Sequence, residues 1–307
     1  MEKAYLILET GEVFEGTSFG ADAESIGELV FTTGVVGYVE SLTDPSYYGQ
    51  TVLFTFPQVG NYGMTPMDDA DRKCHVKGVV VHEWCDAPSN FRCQGTVDAY
   101  LKEQGVPGIC GVDTRRLTQI VRDHGVMNAI ITKKVPENLL SELKQYRITG
   151  AVEATSSARK EERMPEGTAV CHVALLDYGA KKQCVEDLLA RGCKVTILPY
   201  DTKAEEVLEL HPDGVMLSDG PGDPAENAAC IEELKKLWGK LPMFGIGLGH
   251  QMMALAAGAE TTKLKYGHRG GDQPSLCGIC TLAAAISPAR TMAMPWWQRV
   301  WKKRAAR

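Results

Sequence analysis

Two stretches in the second half of the chain combine glycines with polar residues in a pattern suited to chemistry through an anion. The first is Leu217-Ser-Asp-Gly-Pro-Gly-Asp-Pro224. Its glycines permit close backbone approach to a ligand, and its free N–H groups could hold an anion or an oxyanion. The plainer reading is a tight turn. The second is Phe244-Gly-Ile-Gly-Leu-Gly-His-Gln251, a short apolar run entering a Gly-rich turn and then a helical pattern. That is elbow geometry, which exposes a nucleophile at a helix N-terminus where the dipole favours its anion. The residue at the elbow tip is Gly247, which has no nucleophile.

Other reactive types are weaker candidates. His250 belongs to the elbow string itself, and His268 lies in a Gly-His-Arg-Gly-Gly loop, where a structural role is expected. Asp113, Thr114 and Arg115 read as a helix start rather than a second site. Cys277 and Cys280 have C-x-x-C spacing, but no second pair or His cluster completes a zinc site, so no metal is expected. The chain has ten cysteines scattered without an export signal, which favours reduced thiols over a disulfide framework.

Around both glycine-rich stretches the sequence alternates strand and helix patterns. Strands are expected at 173–177, 194–198, 214–217 and 243–246, and helices at 179–191, 204–210, 225–238 and 249–257. This rhythm implies a parallel sheet with helices on both faces and chemistry at the carboxyl ends of its strands. The first ~130 residues differ, with short β-like runs at 5–8, 28–33, 51–56 and 76–82 and helices at about 96–104 and 114–124. The fold class is therefore α/β, a mixed, mainly-β N-terminal domain followed by a parallel α/β sheet domain. Residues 134–170 turn polar and read as a linker with one amphipathic helix near 136–146.

Composition agrees with a globular, two-domain chain. The 307 residues are 44% hydrophobic and 23% charged, with a net charge of −6. An acidic balance does not suggest a nucleic-acid surface. No apolar run reaches the ~18–20 residues of a membrane span, and the N-terminus reads as a strand rather than a signal peptide. Cytoplasmic localisation is expected.

The string Phe-Gly-Ile-Gly-Leu-Gly-His-Gln resembles the elbow of class I glutamine amidotransferases, with Gly247 where they carry the catalytic cysteine. Ser-Asp-Gly-Pro-Gly-Asp-Pro resembles their oxyanion loop. Tyr266-Gly-His-Arg-Gly-Gly-Asp-Gln-Pro274 narrows the likeness to the small subunit of carbamoyl-phosphate synthase. Gly37-Tyr-Val-Glu-Ser-Leu-Thr-Asp-Pro-Ser-Tyr47, Gly60-Asn-Tyr-Gly63 and Gly111-Val-Asp-Thr-Arg-Arg-Leu-Thr118 look like that subunit's N-terminal domain. The resemblance covers about residues 1–274. It implies an N-terminal small-subunit domain over 1–133, the linker over 134–170 and an amidotransferase-like domain over 171–274.

What the resemblance implies chemically is glutamine hydrolysis: a thiolate attacks the side-chain amide, a later His acts as base, and an acid orients it. The positions matching glutamine-binding residues are Ser46, Gly220, Gly222, Leu248 and Gln251. The implied partner is a large synthase subunit, which uses ATP and Mg. No cofactor is expected in this subunit, and no G-x-x-x-x-G-K motif occurs. A non-catalytic subunit that docks through its N-terminal domain is the alternative. A related amidotransferase serving another synthase is disfavoured by the N-terminal motifs.

After Pro274 the likeness stops, and residues 275–307 read as a shifted reading frame. Arg290-Thr-Met-Ala-Met-Pro-Trp-Trp297 permits the codons AGA ACC ATG GCT ATG CCA TGG TGG. Read from the third base of the Arg codon, these spell Asn-His-Gly-Tyr-Ala-Met-Val, which resembles the family motif missing here. Met and Trp have single codons, so the central run leaves little freedom. The competing reading is a basic amphipathic tail for membranes or RNA. A shifted frame removes the general base, its acid and the last strands, leaving a sheet edge unpaired.

Overall fold

The computed structural model describes residues 2–267 except 66, 70, 72 and 136–138, together with the backbone of 275–279 and 282–286. In the N-terminal unit β1 (Lys3–Leu8), β2 (Val13–Gly20), β3 (Ser25–Thr32), β4 (Gln50–Phe54), β6 (Gly78–Val80), β8 (Pro107–Cys110) and β9 (Met127–Thr132) form a closed barrel. Its order is β1-β2-β8-β6-β4-β3-β9, closed by antiparallel pairing of β1 with β9 from Tyr5↔Thr132 to Leu8↔Ala129. Two short strands, β5 (Gln58–Val59) and β7 (Glu83–Trp84), pair beside it.

Period-two alternation explains how the barrel strands serve two cores. On β4, Val52 packs with α1 (Tyr38–Thr43) and α2 (Val97–Glu103), while Leu53 packs with α3 (Thr114–His124). The helix α3 spans the residues expected from its capping signal. The Asp113 side chain accepts from Arg116 N at 2.9 Å, and the helix stops at Gly125, whose φ of 97° lies in the left-handed region.

The second unit is a five-stranded sheet of order β10-β12-β11-β13-β14. Its strands are β10 (Glu161–Arg163), β11 (Cys171–Asp177), β12 (Cys193–Pro199), β13 (Gly214–Leu217) and β14 (Met243–Gly245). The last four are parallel, in register from Val173↔Val195 and Val173↔Gly214 to Val215↔Met243. Leu175 and Val195 face α6 (Lys182–Ala190) on one side. Ala174, Leu176 and Leu217 pack with α7 (Ala204–Glu209), α8 (Ala228–Leu237) and α9 (Leu248–Ala256) on the other. Both faces are covered, as near-continuous apolar strands require.

Three details differ from expectation. The helix expected from 179 begins at Lys182, because Gly179 has φ 125° and the Asp177 carboxylate caps Gly179 N and Ala180 N at 2.9 and 2.7 Å. The helix expected over 225–238 divides into a 3-10 turn at Pro224–Glu226 and α8, since the Asp223 side chain caps Ala225 N and Asn227 leaves helical geometry. The stretch read as a linker is mostly apportioned to the two units. From it, α4 (Leu139–Gln145) buries Leu143 against Ile7 and Ile130 of the barrel, α5 (Ala151–Thr155) places Val152 in the core of the second sheet, and β10 pairs antiparallel with β12.

At the C-terminal end, β15 (Ser275–Ile279) and β16 (Leu282–Ile286) pair as an antiparallel hairpin. His268, Cys280, Trp296, Trp297 and Trp301 lie outside the described residues, as does the rest of the tail from residue 287.

Candidate active site

The elbow stands where β14 turns into α9, at the carboxyl end of the parallel sheet. Gly247 has φ 49° and ψ −113°, a conformation an L side chain adopts only under strain. Glycine therefore relaxes the turn while removing the side chain. The glycine-rich loop over 217–224 leaves β13 alongside it. Gly249 N donates to Ser218 O at 3.0 Å and Ile246 N to Leu217 O at 3.0 Å, which locks the two loops together. Gly220 lies so close to Tyr178 O that no Cβ could be placed there. The close approach that requires glycine here is to the chain's own backbone at Tyr178.

Between the loops sits the carboxylate of Asp219. Its Oδ1 accepts from Gly220 N at 2.9 Å and from Leu248 N at 3.1 Å. Its Oδ2 accepts from Ser46 Oγ at 3.3 Å and lies 3.4 Å from Lys181 Nζ. Lys181 in turn reaches Asp44 Oδ2 at 3.2 Å. Asp44 and Ser46 belong to the N-terminal unit, so the site is built across the contact between the two units. Asp44 is almost wholly buried and its other oxygen accepts from Ser46 N at 3.0 Å, which fixes the turn that presents Ser46.

Four of the positions expected from sequence, Ser46, Gly220, Gly247 and Leu248, thus converge on one carboxylate. Leu248 also buries its side chain in the core beneath the elbow. Gln251 is on the first turn of α9, its N–H donating to Gly247 O at 3.1 Å. Gly222 stands apart with φ 87°, beside a small cavity shared with Ala151, Tyr200 and Asn227. His250 is half-buried in the helix, and burial pushes its pKa below the usual imidazole value. No group of three metal-binding side chains occurs among the described residues.

Sequence reasoning passed over Asp219, Lys181 and Asp44. A carboxylate at the centre of a glycine-rich anion loop was a legible oddity. Lys181 carried no signal, because only the meeting of the two units gives it partners.

A parallel sheet with an elbow and an adjoining glycine-rich loop, fused to a closed barrel, agrees with the two-domain amidotransferase architecture that the sequence resemblance implies. Residues 174–290 match the family Glutamine amidotransferase class-I, a match that continues past Pro274. Residues 6–131 match Carbamoyl-phosphate synthase small chain, CPSase domain. The chain is 48% identical over 277 residues to a carbamoyl phosphate synthase small chain of Listeria monocytogenes, covering 89% of this chain and 76% of that protein. It is 47% identical over 274 residues to the small chain of Clostridium perfringens, covering 89% and 78%. With that of Bacillus thuringiensis it shares 46% over 287 residues, covering 93% and 78%. The chain belongs to the carbamoyl-phosphate synthase small-chain family, the glutamine-hydrolysing amidotransferase subunit of that enzyme. No helix among the described residues is long and apolar enough to cross a membrane.

Proposed function

We propose that this chain is a glutamine-directed small subunit that docks on a large ATP-using subunit, and that its own glutaminase step is lost. The observation that carries this reading is position 247: an elbow aimed into a pair of backbone N–H donors, with no side chain at its tip. In this reading Ser46, Gly220, Gly222, Leu248 and Gln251 hold glutamine and its oxyanion. A thiolate at 247 would attack the side-chain amide, and the N–H groups of Gly220 and Leu248 would take the charge that develops on its oxygen. The base and its orienting acid belong to the stretch that the shifted frame after Pro274 replaces. Cysteine and glycine codons differ by one base, so both lesions are small changes to a gene.

Mixing the chain with a large subunit tests this. Carbamoyl phosphate formation should proceed with ammonia and fail with glutamine. Glutamine-dependent synthesis at the rate of a cysteine-bearing small chain would overturn it. Sequencing the gene through the Pro274 codon tests the frame directly.

The second reading, a non-catalytic docking subunit, is favoured by the closed barrel with its buried cores. Here the chain would bind the large subunit and alter its ammonia-dependent rate. No effect on that rate, despite co-purification, would reduce the chain to an inert passenger.

A further inference from the structure

We infer that Asp219 is an internal ligand of the elbow, a carboxylate that fills the site an external carboxylate or amide oxygen would take. The inference rests on geometry at the elbow and holds whatever the natural substrate is. Its first support is the donor set. Both loop N–H groups that converge on the site, those of Gly220 and Leu248, are given to Asp219 Oδ1, at 2.9 and 3.1 Å. Charge-assisted bonds of this kind are about twice as strong as neutral ones. Its second support is the far oxygen, which Ser46 Oγ and Lys181 Nζ meet at 3.3 and 3.4 Å. Lys181 is shared with the buried Asp44, so the plug is tied to the barrel as well as to the elbow.

The third support is steric. A Cβ at position 247 would overlap Asp219 Oδ1 outright and lie 2.5 Å from Asp219 Cγ. A side chain at 247 and the present Asp219 rotamer exclude one another. Glycine at the tip and the seated carboxylate are therefore one arrangement: the absence of a side chain at 247 is what lets Asp219 reach both donors. Restoring a thiol alone would push the Asp219 carboxylate off its donors yet leave it beside the thiol, which disfavours the thiolate and opposes attack. The chemical class this site takes, once Asp219 is gone, is a small carboxylate.

Chemical rescue in the full chain tests this, with sodium formate as the probe and sodium chloride at equal ionic strength as the control. The Asp219→Ala chain should melt below the parent and regain about 2 °C or more in 100 mM formate, whereas the parent should respond equally to both salts. Equal responses of variant and parent, or no rescue of a folded variant, would overturn the inference. Where Asp219→Ala does not fold, a second comparison decides. Iodoacetamide labelling at position 247, followed by peptide mass spectrometry at pH 7, should be about tenfold faster in Gly247→Cys/Asp219→Asn than in Gly247→Cys. Equal rates there would overturn it. Neither measurement uses glutamine, so a failed substrate assignment leaves both readable.

Discussion

The two halves of this molecule solve the same problem, burying apolar strands, with different completeness. The barrel closes: every one of its seven strands has two neighbours, so no row of N–H and C=O groups is left open. Among the described residues the second sheet is open. One edge is covered by β10, but among the described residues β14 pairs with β13 alone. On that edge strand Phe244 is 63% exposed. The helix α6 has no fully buried residue, whereas α3 on the barrel buries Leu117, Ile120 and Val121. The difference teaches where a small chain can tolerate loss. A barrel is closed by its own strands, while an open parallel sheet depends on whatever follows its edge strand.

The largest effect that would sharpen this contrast is catalytic. A chain with Gly247→Cys and the downstream frame restored after Pro274 should release glutamate several orders of magnitude faster than Gly247→Cys alone, because triad members act as a unit. Glutamate assay with and without a thiol alkylator checks it. Equal rates in the two chains would remove the frame shift from the account.

Packing comes next. Leu53→Ala in the barrel should cost about 2–5 kcal/mol, since the side chain is fully buried among strands that cannot collapse inward. Leu188→Ala on α6 should cost less than half of that, because its side chain is only partly buried. Urea unfolding followed by probes in each half would show it, and comparable losses would break the comparison. Gly247→Ala is expected to cost about 1–3 kcal/mol from backbone strain and displacement of Asp219, seen in the second unit's transition and not the barrel's.

Acid should discriminate the halves more gently. His172 and His250, whose pKa values burial lowers, both sit in the second unit. A depressed imidazole pKa means the unfolded chain binds more protons, so stability is present above the unfolded value of 6.5 and is lost as pH falls below it. Between pH 7 and 5.5 the second unit should lose roughly 1 kcal/mol or less from each, measured by hydrogen exchange, and His250→Gln should flatten the slope. The smallest expected effect is at the edge. Phe244→Ser should change stability by under about 0.5 kcal/mol yet reduce self-association in sedimentation, because it removes an exposed ring from an open strand.

Much of the fold was legible because its local signals agree. Apolar alternation marked the barrel strands, Asp113 and Gly125 bounded α3, and the β–α rhythm from Cys171 announced the parallel sheet. The elbow was legible from Phe244 to Gln251, since a strand, three glycines and a helix in that order admit few other shapes. The helix expected near 136–146 appears as α4, but the docking of Leu143 and Val152 was not legible, because their partners lie far away in the chain.

By itself, then, the sequence determined the two-part architecture, the family and the empty elbow tip, because each is written in local periodicity or a contiguous motif. Only the tertiary structure decided what stands at that tip. Asp219, Lys181, Asp44 and Ser46 meet across two units, with Ser46 and Asp219 separated by 173 positions along the chain. The attraction that seats the Asp219 carboxylate falls off with distance in space and not in sequence, so no window of residues contains it.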